Sequence, residues 1–305
     1  MDGILPLWKE RGMTSHDCVF KLRKILKTKK VGHTGTLDPG VEGVLPICIG
    51  QATRIAEYLT DAGKMYEATV SLGRTTTTED AEGETVTSDL SPKSFTREQL
   101  LAALETLTGE IEQTPPMFSA VKVNGKKLYE YARAGQTVER PTRKVTIYLL
   151  ELLSEEALFE GEEVHFRIRI GCSKGTYIRT LAVQIGEALG VPAHMHELVR
   201  IKSGTFTASN CLTLGQVAEK MEAGDTSFIL PVEYALSDYP AIDMHSLGAA
   251  TEKKINNGQQ LPLHPLLKEH EKLVFTKQGK AFAVYMEHPE KEGIMKLDKM
   301  FPNVE

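Results

Sequence analysis

The fourteen residues Gly32-His33-Thr34-Gly35-Thr36-Leu37-Asp38-Pro39-Gly40-Val41-Glu42-Gly43-Val44-Leu45 hold two carboxylates, an imidazole and four glycines in a short span. The glycines permit unusual backbone angles and the close approach of a second molecule. Pro39 biases Asp38 toward an extended backbone, so its carboxylate is presented from a loop and not folded into a helix. A phosphate-binding loop would need a Gly-Lys-Ser/Thr ending and a following helix, and both are missing. An aspartyl-phosphate enzyme would need a second nearby Asp to hold Mg²⁺. A glycine-rich turn with Asp38 as a local cap is the commonest outcome for an Asp in a Gly/Pro loop, and residue types alone leave it open. Elsewhere, His194 and His196 stand at i, i+2, a pair that makes no metal site by itself, and no metal is expected.

Several elements must position this loop. Thr14 or Ser15 can cap a helix over residues 14–27, in which Asp17 suits the first turn and Val19, Leu22, Ile25 and Leu26 recur at helical spacing. Residues 44–49 and 65–72 read as strands. Residues 75–93, rich in Thr, Asp, Glu, Gly and Ser, read as an exposed connection. A capped helix is expected over 96–109 and a second over 176–189, with Ile178, Leu181, Ala182, Ile185 and Leu189 as its buried stripe. Strands at about 145–153 and 163–171 flank an acidic stretch expected to form their turn. Strands and helices alternate irregularly, without a βαβ rhythm, which predicts an α+β fold with a mixed or antiparallel sheet. From about residue 236 short, loop-bounded strands such as 272–277 and 281–286 take over. The expected division is therefore a domain over 1–235 and a small β-rich domain over 236–305.

The 305 residues are 41% hydrophobic and 25% charged, ordinary for a globular chain able to bury a core. No run approaches the roughly 20 apolar residues of a membrane helix, and MDGILPLWKERG lacks a signal-peptide core, so a cytoplasmic protein is expected. Cys18, Cys48, Cys172 and Cys211 form no CxxC pair, which favours reduced thiols over a disulfide framework or zinc site. The net charge of −5 does not favour nucleic acid by itself. Its distribution says more: residues 21–30 hold six cations and no anion, residues 122–144 hold seven cations against two acids, and residues 151–163 hold six acids. Such segregation allows one face to bind a polyanion, although a solvated charged surface explains charge alone equally well.

The motif GHTGTLDPxxxGVL resembles the catalytic motif of the TruB family of tRNA pseudouridine synthases. Three more segments resemble the family in order: Lys64-Met65-Tyr66-Glu67, residues 171–181 (GCSKGTYIRTL), and residues 193–200 (AHMHELVR). The family's Lys-Pro-x-Gly start appears here as Lys9-Glu10-Arg11-Gly12. The resemblance implies the pseudouridine synthase fold with a PUA-like RNA-binding domain at the C-terminal end. It also implies isomerisation of uridine to pseudouridine at position 55, in the T-loop of elongator tRNAs. The reaction breaks the N1–C1′ bond, turns the base and joins C5 to C1′, so no cofactor is required. Asp38 is the implied nucleophile; attack at C1′, attack at C6 and action as a base on the ribose all stay open to it. Arg179 is the expected partner keeping a buried Asp38 ionised. Tyr66 is expected to stack on the flipped uracil, Tyr177 and Leu198 to line the pocket, His33 to contact the RNA, and Lys64 to contact the backbone near the pocket. The basic segment 119–144 is expected to be mobile and to close over the RNA loop, and the basic helix to meet phosphates. A monomer acting on tRNA without an obligatory protein partner or membrane follows. The competing readings are a non-catalytic RNA-binding protein, a metal-dependent phosphohydrolase and a guide-RNA-dependent synthase.

Overall fold

The computed structural model describes residues 1–301. The main sheet is built from β1 (Gly3–Lys9), β2 (Glu42–Ile49), β3 (Lys64–Leu72), β4 (Gly109–Gln113), β5 (Arg143–Leu152), β6 (Val164–Cys172) and β7 (Ala193–Ser203), in the spatial order β1-β2-β7-β3-β6-β5-β4. Along this path only the β2–β7 pair is parallel. The fold is thus α+β with a mixed, mostly antiparallel sheet, as the irregular alternation predicts.

β2 explains its own uninterrupted apolar sequence, because both its faces are covered. Leu45, Ile47 and Ile49 enter the main core, whereas Val44 and Cys48 enter a second one. The main core lies under α1 (Ser15–Ile25), α3 (Arg97–Thr106) and α5 (Ile178–Leu189). α1 begins at a capping box: Thr14 accepts from the Asp17 backbone at 3.0 Å, and Asp17 accepts from the Thr14 backbone at 2.9 Å. α5 ends at Gly190 in the left-handed conformation (φ 72°), a helix stop that glycine tolerates.

The second core joins the two parts of the chain. Ile4, Val44, Ile55 and Tyr58 pack in one cluster with Val274, Ala281, Val284 and Phe301. Residues beyond 240 form a five-stranded sheet whose hairpin Leu273–Lys277/Lys280–Glu287 turns at Gln278-Gly279, both at positive φ (53° and 76°). The short helix α2 (Ala56–Asp61) lies at this junction: the Tyr58 hydroxyl donates to Asp298, whose carboxylate also accepts from Lys272 at 2.9 Å.

Two expectations need correction. The acidic stretch 151–163 is not a simple turn, because Leu158–Gly161 pairs with Lys93–Thr96 as a separate ribbon. Residues 75–93 are not a wholly exposed connection: Arg74–Thr76 pairs with Thr85–Ser88, and Thr76 is buried. In both, short strands were hidden, the first by a partner more than sixty residues away and the second by its polar composition.

Candidate active site

Asp38 opens a tight turn in which the Val41 N–H donates to the Asp38 carbonyl at 3.0 Å. Three buried side chains from elsewhere hold the main chain around it. Lys9, fully buried at the end of β1, donates through Nζ to Val41 O at 2.6 Å and to Pro39 O at 3.4 Å. Ser15, freed from capping by Thr14, donates to Leu37 O at 3.2 Å and accepts from Leu37 N at 2.9 Å. Arg200, 1% exposed in β7, donates to Val44 O at 2.7 Å and to Gly35 O at 3.2 Å. Gly43 permits this closeness: it adopts φ +130°, and a Cβ there would fall 2.3 Å from Arg200 O.

The Asp38 carboxylate meets Arg179, at the start of α5, with Oδ2 3.1 Å from the guanidinium. Arg179 is itself fixed by main chain, donating to Thr78 O at 2.9 Å and to Phe118 O at 3.0 Å, and Asp80 lies 3.7 Å away. The expectation of a buried Asp38 is corrected: its side chain is 46% exposed, whereas that of Arg179 is 7% exposed. The carboxylate stands on a loop at the wall of an open cavity, so water reaches it from the cavity side.

That cavity measures about 290 Å³ and is lined by Asp38, Lys64, Tyr66, Tyr177, Arg179 and Leu198, together with Arg200 and Ser119. Tyr66 lies opposite Arg200 in the β3–β7 register, and burial pushes its phenol pKa up, so it stays neutral. Lys64 is 9% exposed; its ammonium caps α2, donating to Thr60 O and, at 2.6 Å, to Ala62 O. Burial pulls its pKa down to about 8. Tyr177 flanks α5, its backbone gripped by buried Gln113, which accepts from Tyr177 N at 2.9 Å and donates to Tyr177 O at 3.2 Å. Leu198 is 8% exposed. Of the expected residues, His33 alone is absent from the cavity lining; its Nδ1 is buried without a partner among the described residues. Burial first, then the charges of Arg200 and His16, lower its pKa.

The arrangement sets one carboxylate among cations beside an aromatic ring, which suits an anionic substrate presenting a flat base. Among the described residues, no cluster of His, Cys, Asp or Glu has the size to hold a metal ion, and no helix is long and apolar enough to cross a membrane. Sequence reasoning missed Lys9, Ser15, Asp80, Gln113, Ser119 and Arg200 as site residues. Lys9 and Arg200 did stand within segments that carry the resemblance, which was the available signal for their roles. Asp80 lay in the stretch read as exposed.

Residues 23–178 match the family model described as TruB family pseudouridylate synthase (N terminal domain), and residues 179–237 match that of the tRNA pseudouridylate synthase B C-terminal domain. The chain is 55% identical over 303 residues to tRNA pseudouridine synthase B of Listeria innocua, with 98% of each covered. It is 54% identical over 304 residues to tRNA pseudouridine synthase B of Geobacillus thermodenitrificans, covering 99% of this chain and all (100%) of that one. Among solved structures, it aligns with a chain of a Cbf5-Nop10-Gar1 complex at TM-score 0.70 and 29% identity, over 98% of this chain and 84% of that one. It also aligns with a chain of an H/ACA RNP bound to a substrate RNA containing 2′-deoxyuridine, at TM-score 0.68 and 27% identity, with the same coverage of 98% and 84%.

Proposed function

The chain belongs to the TruB family of pseudouridylate synthases, and from that premise we propose that it acts on the uridine at position 55, in the T-loop of elongator tRNAs, with Asp38 as nucleophile. It is an isomerase that makes pseudouridine in tRNA. The observation that carries the assignment of Asp38 is its carboxylate, 3.1 Å from Arg179 at the wall of a base-sized cavity.

The reaction breaks N1–C1′ and forms C5–C1′; C5 gives up its proton and N1 acquires one, so nothing is oxidised overall. A carboxylate trap divides this exchange into easier steps. Extruding the target base costs roughly a few kcal/mol, and stacking on Tyr66 returns about 1–3 kcal/mol. Tyr177 and Leu198 bound the base, Arg179 holds the carboxylate, and Lys64 offers positive charge to the RNA backbone. His33, outside the cavity, contacts the nucleotides that flank the flipped one. The basic segment 119–144, which carries the hairpin Lys122–Val123/Lys126–Lys127 and the helix Leu128–Arg133, closes over the T-loop. Residues 236–305 serve as a PUA-like RNA-binding domain. The enzyme works in the cytoplasm as a stand-alone monomer without a cofactor.

The test is incubation of the purified chain with an unmodified tRNA transcript and no additive. Pseudouridine is expected at one position, EDTA has no effect, and Asp38→Asn abolishes product while tRNA binding persists. Product formed by Asp38→Asn refutes the nucleophile; a requirement for a guide RNA refutes the stand-alone form.

A further inference from the structure

We propose that the solvent face of α1 is a second tRNA contact strip, binding the RNA backbone outside the active-site cavity, with Phe20 stacked on an exposed base. The proposal rests on the reading of the chain as a tRNA-modifying enzyme and adds a surface to it. His16, Phe20 and Lys24 are spaced i, i+4 and i+8, so they follow one side of the helix, and all three are exposed. At 1.5 Å per residue the helical part of the strip is roughly 12 Å long. Lys27, just past the helix end in the left-handed conformation (φ 50°), and then Lys29 and Lys30 extend it, and all three are exposed.

Three features mark the strip as more than a solvated surface. First, among the described residues none of the cations at 21, 23, 24, 27, 29 and 30 makes an ion pair. The helix has one acid, Asp17, and its carboxylate is engaged in the Thr14 cap. Positive charge is therefore left uncompensated, which a polyanion can neutralise with release of its counterions. Second, Phe20 is 56% exposed, with the Lys24 ammonium 4.5 Å from its ring centre. An aromatic ring beside a cation is the combination that binds unpaired nucleotides, the ring taking a base and the ammonium a phosphate. Third, the strip starts at the catalytic loop: Ser15, next to His16, exchanges two hydrogen bonds with Leu37, the neighbour of Asp38. RNA whose loop enters the cavity thus passes the first turn of α1.

The two parts of the strip leave different signatures in a filter-binding titration of full-length tRNA over a range of salt. Losing one cation–phosphate contact reduces the salt slope by about 0.7 on single-stranded RNA, equivalent to roughly fourfold in affinity at 0.15 M. Lys24→Gln/Lys27→Gln is therefore expected to flatten the slope by about 1.4 and raise Kd about fifteenfold. Phe20→Ala is expected to raise Kd about fivefold, the lower end for a stacked base, with the slope unchanged. All three side chains face solvent, so the variants should fold, and circular dichroism checks that they do. A wild-type slope in the double lysine variant, or a wild-type Kd in Phe20→Ala, overturns the strip. Failure of the wild-type chain to form pseudouridine would instead overturn the underlying functional reading.

Discussion

Replacing Arg179 by Met separates the placement of the Asp38 carboxylate from RNA binding. The substitution removes two charge-assisted hydrogen bonds to main-chain carbonyls, at 2.9 Å to Thr78 and 3.0 Å to Phe118, and the 3.1 Å contact to Asp38. Each carbonyl left without its donor costs about 1–3 kcal/mol if buried. Asp38, 46% exposed, recovers solvation from water, so the broken pair itself adds little to the loss of stability. Both hydrogen bonds are only partly buried, so the expected destabilisation lies in the lower part of that doubled range, about 2–4 kcal/mol, read from urea unfolding. The catalytic loss should be larger in effect, because the carboxylate is left without its cationic side-chain partner. Displacement of a reacting group by about 1 Å costs roughly a hundredfold in rate. Single-turnover pseudouridine formation should fall by about 10²–10³, while the Kd for tRNA changes by less than about threefold. Arg179→Lys retains the charge but lacks the planar fork that spans Thr78, Phe118 and Asp38 together, so it should recover less than tenfold. Phe118 also directly precedes the basic segment, and its release should quicken protease cleavage between residues 119 and 144. A variant that reacts at the wild-type single-turnover rate, or loses only affinity, refutes the positioning argument.

Two further outcomes follow from the cavity and the loop beneath it. Lys64 loses its proton at about pH 8 in the fold, against 10.5 when unperturbed, because burial disfavours the ammonium. Between these values the folded state has released a proton that the unfolded chain retains, so this group's contribution to stability rises with pH, while the cavity loses a positive charge. The Kd for tRNA should rise about fourfold as pH passes through 8, one phosphate contact's worth at 0.15 M salt, and Lys64→Met should abolish the step; a step of equal size in that variant assigns it to another group. Gly43→Ala would put a methyl group 2.3 Å from Arg200 O at a backbone angle that L side chains rarely adopt. Strain of about 1–3 kcal/mol plus the clash should lower the melting temperature by several degrees, and an unchanged melting curve would show that the β2–β7 crossing yields more freely than its geometry implies.

The elements were legible wherever the signal was local. Thr14 capping α1, the stripe of α5, the strands around 65–72 and 163–171, and the Gln278-Gly279 turn were all readable from short windows. The ribbon pairing Lys93–Thr96 with Leu158–Gly161 was not, because its two halves lie more than sixty residues apart and each is only four residues long. The same divide runs through the site. Asp38, Tyr66 and Arg179 were recognisable from motifs, but the side chains that hold the loop reach it across the fold. Lys9 reaches Val41 over 32 positions, Ser15 reaches Leu37 over 22, and Arg200 reaches Gly35 over 165. No periodicity encodes a donor aimed at a distant carbonyl.

These long-range bonds also decide which part of the site is ready before RNA arrives. Arg179 is held by Thr78 and Phe118 and does not depend on Asp38 for its place, and the loop backbone is held by Lys9, Ser15 and Arg200. The protein's own bonds thus fix this geometry without any contact from RNA. Exclusion of water is not, since nearly half of the Asp38 side chain meets solvent. An extruded base resting on Tyr66 would occupy the open side of the cavity and displace that water, strengthening the Asp38–Arg179 interaction as the local dielectric falls. On the proposed function the protein would supply orientation and the flipped base the cover, so an RNA that binds the surface without flipping a base should leave the carboxylate hydrated and unreactive.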